Sequence, residues 1–153
     1  MHKIHMAGIS TLIGLLAILL AGQPLTAGET KRVNTAADNI AIEGYDTVAY
    51  FTNGRPMKGD PGLTYSWNGA KWQFAEPAHR DMFAEDPERY APQFGGFCSM
   101  ALARGRIAGV DPEVWTIVDG KLYLNFNTSV GEKFRENLQE NIEKANENWR
   151  KVK

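Results

Sequence analysis

Leu63-Thr64-Tyr65-Ser66-Trp67-Asn68-Gly69-Ala70-Lys71-Trp72-Gln73-Phe74 is the stretch on which the fold turns. Apolar and polar residues alternate on both sides of Asn68-Gly69, a pair that readily supplies the two positive-φ positions of a type I′ turn. The stretch therefore predicts a β-hairpin in which Leu63, Tyr65 and Trp67 share a face with Trp72 and Phe74. Val114-Trp115-Thr116-Ile117-Val118-Asp119-Gly120-Lys121-Leu122-Tyr123-Leu124 repeats the design around Asp119-Gly120. Its register sets Trp115 opposite Leu124 and Ile117 opposite Leu122. Each hairpin has one strongly apolar face, so the two are expected to share a core.

The flanking sequence reads mostly as helix. Pro77 to Phe83 has proline where a first helical turn tolerates it, and Phe97 to Arg104 is a shorter helix after Gly95-Gly96. A long C-terminal helix is expected from a capping box at Ser129 and Glu132. Phe134, Leu138, Ile142, Ala145 and Trp149 then form one apolar stripe that reads as core. Asn39 to Phe51 is apolar and strand-like around Gly44-Tyr45-Asp46. Asn53 to Gly62, with two prolines and three glycines, is loop. The expected fold class is α+β: a small antiparallel sheet built from two β-hairpins, packed against short helices and a long C-terminal amphipathic helix. Trp67, Trp72 and Trp115 are expected in its core or rim rather than as a ligand-stacking platform, and Tyr45 and Asp46 can either line a site or serve ordinary turn chemistry.

The chain has 153 residues, with 17 Lys+Arg against 18 Asp+Glu and a net charge of -1. No domain-wide basic excess exists to neutralise phosphates, which disfavours nucleic-acid binding as a main role, and no nucleic-acid partner is expected. Residues 1–27 read as a secretory signal: His2, Lys3 and His5 precede an apolar run from Ile9 to Leu20, and Ala27-Gly28 suits cleavage. The run falls short of the roughly 20 residues of a spanning helix, so no stable membrane anchor is expected after signal removal. Gln23 stands where a lipidated cysteine would be needed. Residues 28–38 are polar and aperiodic, a flexible lead, and residues 39–150 form one domain. The expected location is the periplasm or another exported compartment. There a single cysteine, Cys98, forms no internal disulfide, and the core alone must hold the fold.

The run Gly44-Tyr45-Asp46-Thr47-Val48-Ala49-Tyr50-Phe51 resembles the opening of secreted YHS-domain proteins. Asp86-Pro87-Glu88, Gly95-Gly96-Phe97-Cys98 and Asp119-Gly120-Lys121-Leu122-Tyr123-Leu124-Asn125 extend the resemblance from about Ile40 to Trp149. That family is related to TRASH-type modules, which commonly hold a heavy metal through three cysteines. The resemblance places those ligand positions on Ala49, Ala75 and His79. Two of the three are alanine, so the fold can be inherited without the parental site. In its place the resemblance offers Gly-Gly-aromatic-Cys, with some relatives carrying selenocysteine at the position of Cys98, which implies a chemical use for that sulfur.

Free N–H groups at a helix start favour an anion, so a thiolate at Cys98 is a candidate soft ligand or nucleophile. The rival role is a buried, inert thiol. His79 can bind copper or zinc, serve as a base towards Cys98, or stand as a solvent-facing helix histidine with no task. Met100 offers a thioether suited to Cu(I), although two residues apart on a helix point to opposite sides. The expected function is thus reversible binding of Cu(I) or Zn(II) by Cys98, His79 and Met100, for buffering, sensing or delivery without turnover. Two alternatives stand beside it: a redox-active Cys98 working with an exported partner protein, and a non-catalytic partner-binding module. No phosphate loop, serine elbow or HExxH motif is present.

Overall fold

The structure, a computed structural model, describes residues 32–152; the signal expected over residues 1–27 lies outside them. The element order is α1 (Ala49–Thr52), β1 (Asp60–Trp67), β2 (Ala70–Phe74), α2 (Pro77–Glu85), α3 (Pro87–Tyr90), α4 (Ser99–Ala103), β3 (Asp111–Val118), β4 (Lys121–Asn125), α5 (Thr128–Glu136) and α6 (Leu138–Trp149). This is an α+β fold. The hairpins β1-β2 and β3-β4 are each a two-stranded antiparallel sheet of their own. Asn68 and Gly69 sit at φ 51° and 76°, and Asp119 and Gly120 at 49° and 70°, as type I′ turns require. Tyr65 faces Trp72, Trp115 faces Leu124 and Ile117 faces Leu122.

One continuous cluster of buried side chains joins the two hairpins to the helices. Trp72 and Phe74 of the first hairpin, Leu122 and Leu124 of the second, Phe83 of α2 and Phe134 of α5 all belong to it. Phe83 lies against four aromatic rings, those of Tyr65, Trp67, Trp72 and Phe74, at centroid separations of 5.0–6.2 Å. Among the described residues no helix is long and apolar enough to cross a membrane.

Four expectations are corrected. Residues 39–51 are not a strand. They make a 3₁₀ turn over Ile42–Gly44, with Ile42 and Glu43 at positive φ, and then enter α1. Backbone bonds within the turn and single bridges to Asn34, Lys71 and Met57 satisfy residues 41–46, and the Asp46 side chain then caps Val48 N and Ala49 N, so no continuous ladder forms. The C-terminal helix is broken at Asn137, whose φ of -128° and ψ of 56° interrupt it between α5 and α6. Asn141 Nδ2 donates to the carbonyls of Lys133 and Phe134 freed by that break, at 3.2 and 3.0 Å. The α5 cap is the Asn127 side chain, which accepts from Val130 N at 2.9 Å; no Ser129–Glu132 box forms it. Finally, the lead is pinned at its end: Asn34 N donates to Gly95 O at 2.8 Å, and Asn34 Nδ2 to Gly96 O at 3.0 Å.

Tyr50 of α1 ties the first half of the chain to the second hairpin. Its ring meets Trp115 edge-on at 5.5 Å, and its hydroxyl donates to Pro112 O at 2.8 Å. Burial, reinforced by the negative charge of Glu113, pushes the Tyr50 phenol well above its ordinary range. A raised folded-state value means that the native chain holds this proton after the unfolded chain has lost it. The contribution is complete below about pH 10 and fades as pH rises further, by up to about 1.4 kcal/mol per pH unit. Tyr50→Phe should therefore cost about 1–3 kcal/mol at neutral pH, through the lost bond to a buried carbonyl. It should also flatten the fall in stability above about pH 10. Urea unfolding at a series of pH values checks both effects. Tyr123, raised by burial and by Asp119, keeps part of the alkaline slope.

Candidate functional site

Asp46 is the centre of a buried, hydrogen-bonded polar cluster. Its carboxylate is fully buried. Oδ1 accepts from Val48 N at 2.9 Å and Ala49 N at 3.3 Å, which starts α1. Oδ2 accepts from Ala75 N at 2.9 Å and lies 2.6 Å from His79 Nδ1. A carboxylate only accepts, so Nδ1 carries the proton. His79 Nε2 meets Thr52 Oγ1 at 3.1 Å, so both ring nitrogens are engaged on a residue that is 5% exposed.

Ala49, Ala75 and His79 are the three positions where the resemblance to YHS and TRASH-type modules places metal ligands. All three converge on this one carboxylate. The donor set there is one occupied imidazole and two methyl side chains around a buried anion, which does not fit a three-thiolate metal centre. Among the described residues no group of three or more His, Cys, Asp or Glu is arranged to hold a metal ion.

Cys98 lies elsewhere. It precedes α4, and its own ψ of 116° keeps it out of the helix. The opposed directions expected of residues two apart on a helix therefore do not apply. Cys98 and Met100 line one cavity of about 200 Å³, together with Arg104, Arg106, Phe126 and Val130. His79 does not line it. Cys98 is 1% exposed, and its sulfur donates to Asn125 Oδ1 at 3.7 Å. The same oxygen accepts from Met100 N at 3.1 Å, so Asn125 on β4 fixes both sulfur-bearing residues. Asn125 Nδ2 and Ser99 Oγ are buried with no hydrogen-bond partner among the described residues. Ile107 and Phe126, 41% and 55% exposed, stand at the rim and are the large hydrophobic side chains left open to solvent among the described residues.

The structure thus brings Cys98 and Met100 together and keeps His79 in a separate polar cluster. The sequence marks Asp46 as a residue that can line a site, but its pairing with His79, 33 residues away, is not legible there. Thr52 and Asn125 escape notice as site residues, Asn125 lying 27 residues from Cys98. Asn125 closes the Asp119–Asn125 run already singled out, which was the one signal available for it. Comparison with protein-family models, with curated proteins and with solved structures returned no match.

Proposed function

We propose that this chain is an exported YHS-type protein that binds one soft metal ion, Cu(I), through the Cys98 sulfur and the Met100 thioether, and hands it on without turnover. The observation that carries the reading is the shared cavity of Cys98 and Met100. Cu(I) accepts thiolate and thioether donors at low coordination number, whereas a zinc site calls for about four N, S or O donors. Cu(I) is therefore favoured over Zn(II). The ion is cargo: it displaces the thiol proton, which leaves to solvent, and the sulfur's charge is neutralised in place. Exposed Ile107 and Phe126 offer an apolar rim for a receiving exported protein.

A redox role for Cys98 is the second reading. Arg104 and Arg106 line the same cavity and favour it, since a positive lining draws anionic partners toward the sulfur. Against it, a free thiolate would face Asn125 Oδ1, an acceptor to which only a protonated sulfur can donate. A metal-bound sulfur avoids most of that repulsion.

Titration with Cu(I) under a competing chelator tests the proposal. One-to-one binding is expected, lost in Cys98→Ser, weakened about tenfold or more in Met100→Leu, and unchanged in folded His79→Ala. Equal affinity in the wild type and Cys98→Ser would sink it. No binding, together with rapid alkylation of Cys98, would favour the redox reading.

A further inference from the structure

The cavity that Cys98 and Met100 line has an outer part that the metal reading leaves unused. Arg104 and Arg106 stand there beside the apolar side chains of Ile107, Phe126 and Val130, and none of the described residues that line it is acidic. Among the described residues neither guanidinium has a hydrogen-bond, ion-pair or ring partner. Both arginines are exposed, as are Ile107 and Phe126, so this part of the wall is open to a ligand arriving from solvent. The turn that carries the arginines is fixed by its backbone. Arg104 N and Arg106 N both donate to Ala101 O, at 3.0 and 2.9 Å, and Gly105 N, at φ 70°, donates to Leu102 O at 2.8 Å. Asn148 Nδ2 donates to the same Leu102 carbonyl at 2.8 Å and ties the turn to α6. The volume, about 200 Å³, is below the roughly 300–1,000 Å³ of drug-sized sites, so the occupant is small.

We propose that this cavity binds a small, free apolar carboxylic acid, with its chain against Ile107, Phe126 and Val130 and its carboxylate on Arg104 and Arg106. A guanidinium is weakly hydrated and matches a carboxylate with two parallel N–H donors. Two such groups one residue apart, with no acid on the same wall, give the opening a positive potential that draws an anion. Neither half of the ligand suffices alone. An exposed ion pair contributes only about 0–1 kcal/mol, so a bare anion is held poorly. A neutral hydrocarbon covers the apolar side chains but leaves the guanidinium groups without a partner. A bounded cavity, unlike a flat face, suits a free acid better than a lipid surface. The inference goes beyond the metal reading and holds whether or not Cu(I) binds. A bound acid covers the rim offered to a receiving protein, so the two exclude each other there.

Met100 lines the cavity, so its methyl group reports occupation. The chain, with isotope-labelled methionine methyl groups, is titrated with sodium octanoate by NMR against a sodium chloride control, and Met100→Leu identifies the signal. Octan-1-ol, the same chain without the charge, and acetate, the charge without the chain, are titrated separately. A saturable shift with octanoate is expected, with the alcohol about tenfold weaker or more and acetate without effect. Joint replacement Arg104→Gln and Arg106→Gln, both on the surface, should weaken octanoate to the level of the alcohol and leave the alcohol and the Cu(I) affinity unchanged. Ile107→Ser should weaken acid and alcohol alike. Cys98→Ser should lose Cu(I) yet keep octanoate, which separates failure of the metal reading from failure of this one. Equal affinity for acid and alcohol, octanoate binding untouched by the double replacement, or no saturable shift in the folded wild type overturns the proposal. Co-sedimentation with phosphatidylglycerol vesicles without a response to free octanoate overturns it in favour of a membrane surface.

Discussion

Asp46→Asn is expected to cost about 3–5 kcal/mol of folding stability, although the two side chains have nearly the same shape. Two donors converge on each carboxylate oxygen: Val48 N and Ala49 N on Oδ1, Ala75 N and His79 Nδ1 on Oδ2. An amide accepts on one side only. With its NH₂ on one side the amide would face Val48 N and Ala49 N; on the other it would face Ala75 N, while His79 can carry its proton on Nε2 and accept at Nδ1. At least one buried N–H is thus left unpaired at about 1–3 kcal/mol, and the remaining bonds lose the help of the carboxylate's charge. For a domain with a total stability of about 5–15 kcal/mol, the variant stays folded with little in reserve. Urea unfolding followed by tryptophan fluorescence measures the loss. A change below about 1 kcal/mol would show that the cluster is not the structural anchor described.

His79→Ala probes the same cluster from its other end, with an expected loss of about 3 kcal/mol because a buried carboxylate loses its closest partner. The two substitutions should not add, since both act on one hydrogen-bonded unit. Taken with an unchanged Cu(I) affinity, this outcome would assign His79 to scaffolding. Ala49, Ala75 and His79 gather N–H groups around one buried anion.

The parts of the fold governed by local chemistry were legible. Asn68-Gly69 and Asp119-Gly120 define their turns without help from the rest of the chain, and the alternating residues on either side then fix the register. The break at Asn137 was hidden, because the apolar stripe from Phe134 through Leu138 to Ile142 keeps its spacing across it. Residues 39–51 were misread because apolar character alone does not separate a buried strand from a buried turn. What decides there are backbone bonds to Asn34, Met57 and Lys71 and the Asp46 cap on α1, and Lys71 and the Asp46 partner His79 lie far along the sequence. Cys98 stood out in the sequence as the lone thiol, but its relation to Met100 depended on a ψ angle that no spacing rule supplies.

Gly95→Ala is the other substitution with a large expected effect, and it reaches Cys98 through the backbone. Phe94, Gly95 and Gly96 follow one another at φ 57°, 61° and 80°, in the left-handed region that glycine tolerates and Cβ-bearing residues resist. A Cβ at Gly95 would overlap the backbone carbonyl of Arg32, which a side-chain rotation cannot relieve. The segment at residues 32–34 must lift away, which breaks the bonds from Asn34 to Gly95 O and Gly96 O. Strain and displaced packing together should cost about 2–4 kcal/mol. The turn also delivers Cys98 to its place, where its N–H donates to Ala108 O at 3.0 Å. Faster alkylation of Cys98 in Gly95→Ala, at a urea concentration where the chain is still folded, is therefore expected alongside the lower unfolding midpoint. A loss of stability with unchanged alkylation would mean that the glycine pair holds the N-terminal segment but does not set the cysteine. The order Gly-Gly-Phe-Cys would then be a packing device that happens to end in sulfur, and the case for Cys98 would rest on the cavity alone.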